Sequence, residues 1–371
     1  VLRRLISESA VSTKRIAVVG AGVNGVSIAT ACASLGHQVQ LFDESTPFDQ
    51  TSSASSRMLH GGIRYIEQGH IGLVREALIE RDGWLRFAPN ATRVERFYFP
   101  VYQESKRGRW LLFAGTLIYQ WLAGRFSVGP SQLHSSEDLK HVFPSLIPQG
   151  LCGGASYCDV VMEYEPLIQR LVDEARKQGV RIVENTRIER LYSEGRIDTA
   201  DQTLEFDRVI NAAGPWAAKL LEASDVDSGF TIDHVRGSHL IVQASFRHAL
   251  VLQAPCERRI IFVIPLDPEH VLLGTTEQKH DISDPIVCTD AESAYLLEIL
   301  NQHLSEPLVA SDIVSSFAGV RPIVRPRDTS PGDISSASRD SEIEISDRLI
   351  SVFGGKWTSA RHLGGKVAAL V

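Results

Sequence analysis

The stretch Ile16–Asp43, IAVVGAGVNGVSIATACASLGHQVQLFD, decides the fold of this chain. Ile16 to Val19 is a short run of the kind found in buried strands, and it leads into a glycine-rich turn. The small and apolar residues of Gly25 to Leu35 predict a helix, and Val39 to Phe42 predict a second buried strand. Because strand, helix and strand follow each other within about 30 residues, the chain is expected to open with a βαβ unit and a parallel sheet.

The turn of this unit carries the pattern GxGxxG, formed by Gly20-Ala21-Gly22-Val23-Asn24-Gly25. Its glycines allow a tight turn and a close approach of the backbone to a pyrophosphate, whose charge would lie at the helix N-terminus. Asp43 follows the second strand, where an acidic side chain can bond a ribose hydroxyl. A glycine turn that served only packing would not explain Asp43, so the sequence predicts dinucleotide binding.

Later segments indicate a larger α/β protein. Helical periodicity marks Val74–Phe87, Leu167–Gln178, Ala291–Leu304 and Ser359–Leu370. Buried strands are predicted at Val180–Glu184, Val209–Ala213 and Leu349–Phe353. From Val235 to Gly274 the period changes to that of strands, which predicts a mixed or antiparallel sheet in a second domain. The serine-rich residues Gln50–Arg57 and the stretch Arg325–Arg339, rich in Pro, Ser and Asp, are expected to be loops.

Composition restricts the functional classes. The chain has 371 residues, 43% hydrophobic and 22% charged, with a formal net charge of −7. These values are typical of a soluble globular protein of two domains, and the absence of a basic stripe argues against a nucleic-acid partner. Five cysteines without a CxxC pair favour reduced thiols in a cytoplasmic protein, and no His or Cys spacing predicts a metal site.

Two segments bear on membranes. Arg109 to Ala123 is apolar and has arginines beside it, but it is shorter than the roughly 20 residues that a spanning helix needs. We expect a buried or half-buried helix here, with a membrane-surface helix as the alternative and peripheral contact at the inner membrane face left open. Residues 1–13 lack the long apolar core of a signal peptide and are expected to form a tail.

Three further glycine sites favour a flavin over a nicotinamide dinucleotide. They are His60-Gly61-Gly62 after the serine-rich loop, Asn211-Ala212-Ala213-Gly214 after a strand, and Gly354-Gly355 before the last helix. Several separated points of backbone approach suit an elongated flavin dinucleotide that crosses its domain.

The order of these motifs resembles a known family. GAGVNG, TSSASSRMLHGGIRYIEQGHIGLVREALIERDGWLRFAP, NAAGPWA, VRGSHLIV, DIVSSFAGVRPIV, SRDSEIEI and SVFGGKWTSAR follow one another. From about Lys14 to the chain end they resemble the FAD-dependent glycerol-3-phosphate dehydrogenases and the related glycerophosphate oxidases. The resemblance implies a mixed α/β fold, in which a Rossmann-like FAD-binding domain of the glutathione-reductase type is interleaved with an antiparallel-sheet substrate domain. The boundaries it implies are 14–90, 150–225 and 340–371 for the FAD-binding domain, and 91–149 and 226–339 for the substrate domain.

The resemblance also implies roles for single residues. Those implied to bind FAD are Gly20, Ala21, Gly22, Val23, Asn24, Gly25, Asp43, Ser52, Ser53, His60, Gly61, Ile188, Ala213, Gly214, Gly354, Gly355, Lys356, Trp357 and Thr358. Those implied to face the substrate are Arg64, Tyr65, His239, Arg321, Arg339 and Lys356.

The chemistry of the substrate residues agrees with these roles. A phosphomonoester is bound best by planar, bidentate donors, which predicts Arg321 and Arg339 as phosphate ligands. When hydride leaves the carbinol carbon for flavin N5, the hydroxyl proton must also leave, and His239 is the predicted base. Arg64 and Lys356 are predicted to stabilise the developing negative charge. Taken singly, Arg321 and Arg339 are more often solvated surface residues than ligands, and His239 is equally consistent with a structural histidine. The resemblance favours the functional interpretation for all of them.

The sequence departs from the family at two places. Family members carry a further helical domain after the last shared helix, which we expect this chain, ending at Val371, to lack. The segment Tyr157–Leu171 also differs from the sequence that is usual in the family at this place. The predicted reaction is oxidation of sn-glycerol 3-phosphate or a close phosphorylated alcohol, with electrons passed to a quinone or another acceptor. The alternatives are an oxidase acting with O2 on an amino acid, an amine or a 2-hydroxy acid, and a non-catalytic flavin-binding protein.

Overall fold

The computed structural model describes residues 12–254, 259–329 and 341–371 and arranges them around a six-stranded, a three-stranded and a ten-stranded sheet. The strands are β1 (Arg15–Val19), β2 (Gln38–Phe42), β3 (Met58–Leu59), β4 (Thr92–Tyr102), β5 (Gln132–His134), β6 (Leu151–Met162), β7 (Arg181–Val183), β8 (Ile188–Leu191), β9 (Arg196–Thr199), β10 (Thr203–Glu205), β11 (Arg208–Asn211), β12 (Phe230–Gln243), β13 (Ala249–Gln253), β14 (Ile260–Pro265), β15 (His270–Gly274), β16 (Gln278–Lys279), β17 (Ile313–Pro326), β18 (Glu342–Ser346) and β19 (Leu349–Phe353). The helices are α1 (Val23–Ser34), α2 (Arg64–Glu67), α3 (Ile71–Phe87), α4 (Arg109–Ala123), α5 (Ser136–Val142), α6 (Tyr164–Lys177), α7 (Ala217–Ala223), α8 (Asp290–Asn301) and α9 (Ala360–Ala368).

The six-stranded sheet has the order β18-β19-β11-β1-β2-β7 and is parallel apart from its edge strand β18. Its central strands are covered on both faces, which explains why they are almost continuously apolar in sequence. Helix α1 crosses from β1 to β2 and packs against α9, where a side chain on Gly364 would meet the Ser27 carbonyl oxygen. The predicted βαβ unit and parallel sheet are confirmed.

The ten-stranded sheet runs β16-β12-β15-β14-β13-β4-β6-β3, with β17 beside β12 and β5 beside β6. It is mixed, because β13 pairs with β4 in parallel while its other neighbours are antiparallel. Leucines of α8 pack on one face of it, and α3 and α4 pack on the other. The predicted fold class, a mixed α/β protein in which a parallel sheet is interleaved with a second sheet, is confirmed. The second sheet, which the resemblance implied to be antiparallel, contains one parallel pair and is mixed.

Some local predictions need correction or restatement. The loop predicted from Arg325 is wrong at its first two residues, because Arg325 and Pro326 continue β17 by pairing with Thr231 and Phe230 of β12. Strand β6, which lies in a range assigned to the FAD-binding domain, pairs with β4 in the ten-stranded sheet. The domain boundaries themselves stay a prediction, and the predicted tail up to residue 11 lies outside the described residues.

Helix α4 is half-buried. This agrees with the first of the two predictions for the segment, a buried or half-buried helix. Thr116, Tyr119 and Leu122 face the core, whereas Trp110 and Trp121 are 64% and 77% exposed on the outer side. Within the described ranges, every helix is too short or too polar to span a bilayer.

Candidate functional site

The turn between β1 and α1 is built for close backbone approach. Gly20 has φ +98°, and a Cβ there would lie 2.6 Å from the Ala212 carbonyl oxygen. A Cβ on Gly25 would overlap the Gly20 carbonyl oxygen. Gly22 is the N-cap of α1 and provides no side-chain cap. The first helical amide, that of Val23, donates to the neutral Ser52 hydroxyl, so the positive end of this 12-residue helix can still attract an anion.

Asp43 lies beside this turn at the end of β2. One carboxylate oxygen accepts a hydrogen bond from the Ala21 amide at 2.6 Å, and the other accepts from the Ser45 amide at 2.9 Å. These bonds fix the carboxylate next to the helix N-terminus. The role of Asp43 toward a ribose remains a prediction.

The separated cofactor motifs converge on this turn. The Ser52 hydroxyl accepts from the Val23 amide at 3.0 Å, and the Asn24 amide group donates to the Gly354 carbonyl oxygen at 3.0 Å. The Trp357 indole donates to the Ser52 carbonyl oxygen at 3.0 Å. Segments far apart in the chain are thus joined by hydrogen bonds around the turn between β1 and α1.

A buried polar atom without a partner favours a bound polar group at this turn. The side-chain oxygen of Asn24 is buried and has no hydrogen-bond partner among the described residues. A Cβ on Gly355, which has φ +91°, would meet the same side chain. Together with the positive N-terminus of α1, this buried acceptor suits an elongated dinucleotide, which supplies both negative charge and hydrogen-bond donors.

Other predicted cofactor residues are placed less directly. Ile188 is buried in a hydrophobic cluster near β2, and the neighbouring Thr186 amide donates to the Asp43 carbonyl oxygen. Gly214, with φ +57°, begins a short 3-10 turn right after Ala213. The Ser53 hydroxyl bonds to the Gln50 carbonyl oxygen within its own loop.

Contacts of Trp357 and Thr358 show that part of the last motif is structural. The Trp357 ring packs between Phe48 and Trp84 in the core, with the Phe48 ring stacked at 5.7 Å. The Thr358 hydroxyl accepts from the His60 amide at 3.1 Å and lies 3.2 Å from the His60 carbonyl oxygen. Their side chains therefore hold the serine-rich and HGG loops in place.

The predicted base His239 lies on β12, next to β17. It is almost fully buried and stacks on Phe317 at 5.1 Å, and its Nε2 shares a hydrogen bond of 2.9 Å with the Ser56 hydroxyl. Burial, followed by the positive charges of Arg321 and Arg57, lowers the pKa of His239 to about 3. The imidazole is therefore neutral at neutral pH, the state in which it can accept a proton.

Arg321 lies on the same sheet face as His239, because Val235 pairs with Arg321 and His239 pairs with Phe317. Its guanidinium donates to the Thr275 hydroxyl at 3.0 Å and lies 3.9 Å from a Glu277 oxygen. A half-buried guanidinium held by a hydroxyl is suited to an anionic ligand.

Lys356 and Tyr65 are also brought together. The Lys356 Nζ lies 5.3 Å from the centre of the Tyr65 ring, and a Cβ on Gly62 would touch that ring. Arg64 begins α2 directly before Tyr65. The predicted phosphate ligand Arg339 lies outside the described residues.

Ser56 and Arg57 are site residues that sequence reasoning missed. Arg57 has φ +57°, packs its guanidinium 4.0 Å from the Tyr164 ring centre, and is close enough to contribute to the low pKa of His239. With Phe317, it lines a cavity of about 330 Å³ between the serine-rich loop and β17. The available signal was their position just after Ser52 and Ser53, which were implied to bind FAD, in a loop whose last two residues were given no role.

Comparisons with known proteins identify the family and the fold of the chain. A family model described as FAD dependent oxidoreductase matches residues 15–370. The glycerol-3-phosphate dehydrogenase of Pseudomonas aeruginosa is 34% identical over 366 residues, 94% of this chain and 69% of that protein. The D-erythritol 1-phosphate dehydrogenase of Brucella abortus is 30% identical over 364 residues, 93% of this chain and 71% of that protein. The structure of the glycerol-3-phosphate dehydrogenase from Bacillus halodurans complexed with FAD superposes with a TM-score of 0.75 at 23% identity, over 97% of this chain and 64% of that one.

Proposed function

Because the chain belongs to the family of FAD-dependent oxidoreductases, with FAD as cofactor, we propose that it oxidises sn-glycerol 3-phosphate, or a close phosphorylated alcohol, to the ketone. The observation that carries the proposal is the positive environment of His239. Arg321 and Arg57 approach this buried histidine from β17 and from the serine-rich loop, and both lower its pKa. Two cations beside a neutral base suit a substrate that carries a dianionic group near the carbon to be oxidised.

The two relatives support a phosphorylated substrate. Their names state glycerol 3-phosphate and D-erythritol 1-phosphate, which share a polyol with a terminal phosphate. In this chain, Arg321 is the described arginine best placed to bind such a phosphate, because its side chain is half-buried and held by Thr275. Arg339 stays a predicted second ligand.

When bound, FAD supplies the hydride acceptor. The side chains of this chain accept the proton and stabilise the negative charge. His239 takes the hydroxyl proton, and a bound phosphate dianion partly offsets the field of the arginines that lowers its pKa. Ser56 holds the imidazole in its orientation through Nε2. Lys356 and Arg64 are assigned to the developing negative charge.

The decisive experiment is anaerobic mixing of the purified yellow protein with glycerol 3-phosphate while flavin absorbance is recorded. Rapid bleaching is expected. Bleaching by an amino acid, an amine or a 2-hydroxy acid instead would replace the proposal with the oxidase alternative. A flavin that none of these compounds reduces would favour the non-catalytic alternative.

The phosphate ligand is tested by Arg321→Ala. Loss of a charge-assisted contact worth about 2 to 3 kcal/mol should raise KM about 30- to 150-fold. The matched control is Arg325→Ala on the same strand, whose guanidinium bonds to Asp233. An equal KM in wild type and Arg321→Ala would remove Arg321 from the phosphate site.

We further propose that α4 makes peripheral contact with the inner face of a membrane. A quinone in that membrane would then accept electrons from the reduced protein. The outer side of α4 exposes Trp110, Leu111, Leu117, Ile118 and Trp121. A helix with one apolar face and tryptophans near both ends lies in the interfacial region of a bilayer, and the exposed Arg125 just beyond its end suits anionic lipid.

Flotation with vesicles of mixed anionic and neutral lipid tests this contact. The double variant Trp110→Ser and Trp121→Ser should lower vesicle binding about 100-fold or more, since each tryptophan inserted into the bilayer interface contributes at least about 1.5 kcal/mol. Val314→Ser, at a residue 56% exposed on β17, is the control and should bind as wild type does. Equal binding of all three proteins would show that α4 is not the contact.

A further inference from the structure

A buried ion pair lies behind the HGG loop. The Arg81 guanidinium on α3 donates to Asp159 on β6 at 2.9 Å, and each side chain is 1% exposed. Arg81 also donates to the Phe126 carbonyl oxygen at 2.7 Å, and the Asp159 carboxylate accepts from the Val160 amide. Burying such a pair has a large desolvation cost, which these additional hydrogen bonds help to offset. The same bonds hold the two side chains in fixed positions.

Tyr119 connects this ion pair to the loop. Its hydroxyl lies 2.6 Å from Asp159 Oδ2 and 2.7 Å from the Gly61 amide nitrogen. The amide can only donate and the carboxylate only accept, so the tyrosine proton points to Asp159 and the hydroxyl oxygen accepts from Gly61. Burial, followed by the charge of Asp159, raises the pKa of Tyr119 well above its ordinary value and keeps this proton in place.

The loop has little freedom at this point. A Cβ on Gly61 would lie 2.7 Å from both the Tyr119 hydroxyl and the Leu78 side chain. On the other side, Thr358 bonds to the His60 backbone, and the Gly62 amide donates to His60 Nδ1 at 3.0 Å. The backbone is thus held on one side by the Tyr119 hydroxyl and on the other by Thr358 of the last motif.

We propose that Tyr119 is a positioning residue for the flavin and the substrate end of the site. Through one hydroxyl, the buried pair of Arg81 and Asp159 fixes the backbone of His60–Gly62, and α2 with Arg64 follows directly. No contact of Tyr119 with substrate is involved. The inference depends on one part of the proposed function, namely that the loop His60–Gly62 lies beside the bound flavin.

The test is Tyr119→Phe, which removes the hydroxyl and keeps the ring. The matched control is Tyr102→Phe, which removes a hydroxyl that donates to the Ile147 carbonyl oxygen at 3.1 Å, away from the loop. Both variants are compared with wild type for FAD dissociation constant after reconstitution, for amide hydrogen exchange of the peptide covering residues 59–66, and for thermal stability.

Tyr119→Phe should weaken FAD binding about tenfold and speed exchange in residues 59–66 by a similar factor, since one buried donor and one buried acceptor lose their partner. Tyr102→Phe should leave both quantities within about twofold of wild type. Unchanged FAD affinity and unchanged exchange in Tyr119→Phe, with melting temperatures equal in the two variants, would overturn the inference. Because neither readout uses a substrate, a failure of glycerol 3-phosphate to reduce the flavin would count against the proposed function alone.

Discussion

His239 makes the stability of this protein depend on pH in a defined direction. Its pKa is lowered from 6.5 to about 3 in the folded protein by burial and by two arginines. Between these values the unfolded chain binds a proton that the folded chain does not, so the stabilising contribution is complete above about pH 6.5 and is lost as the pH falls toward 3. Between about pH 7.5 and pH 5 this single residue should account for a loss of about 2 kcal/mol.

The assay is urea unfolding of the FAD-loaded protein at these two pH values, for wild type and for His239→Gln. Glutamine can keep a bond to Ser56 but cannot titrate, so the variant should lose about 2 kcal/mol less than wild type between the two pH values. His70→Gln, at an exposed position, controls for the removal of a histidine and should keep the wild-type difference. Nuclear magnetic resonance of labelled histidine Cε1 gives a direct check, since His239 should stay neutral at pH 5. Equal pH dependence in wild type and His239→Gln, or a His239 signal that titrates near 6.5, would refute the reasoning.

Two further predictions concern packing and buried charge. Gly25→Ala should lower the free energy of unfolding by about 3 kcal/mol and abolish FAD retention, because the new Cβ overlaps the Gly20 carbonyl oxygen. The control is Gly115→Ala, which has open space in helix α4. In chemical unfolding it should be neutral or stabilising by up to about 1 kcal/mol. Arg81→Met should cost about 3 to 5 kcal/mol in the same assay, because Asp159 would stay buried without its cation; a cost below about 1 kcal/mol would show that the pair is not a stabilising unit.

Helix α4 shows where sequence pattern gives two answers. Its apolar composition is consistent with burial and with a membrane surface, and the alternatives stay open because composition does not say which side faces the core. The structure places Tyr119 inward and Trp121 outward. The inner side of α4 thus contacts the loop through Tyr119, and its outer side is the surface proposed to contact lipid.

The local elements of the fold, and their order along the chain, were predictable from the sequence alone. The βαβ unit, the glycine turn with Asp43 and the apolar strands follow from periodicity and backbone stereochemistry, which act between residues close in the chain. The tertiary structure alone decided which distant side chains meet. The bond between Ser56 and His239 joins residues 183 positions apart, and the bond between Tyr119 and Gly61 joins residues 58 apart. Such pairs carry no periodic signal, because their contact is set by how two sheets and their covering helices pack, and the low pKa of His239 is a property of that packing.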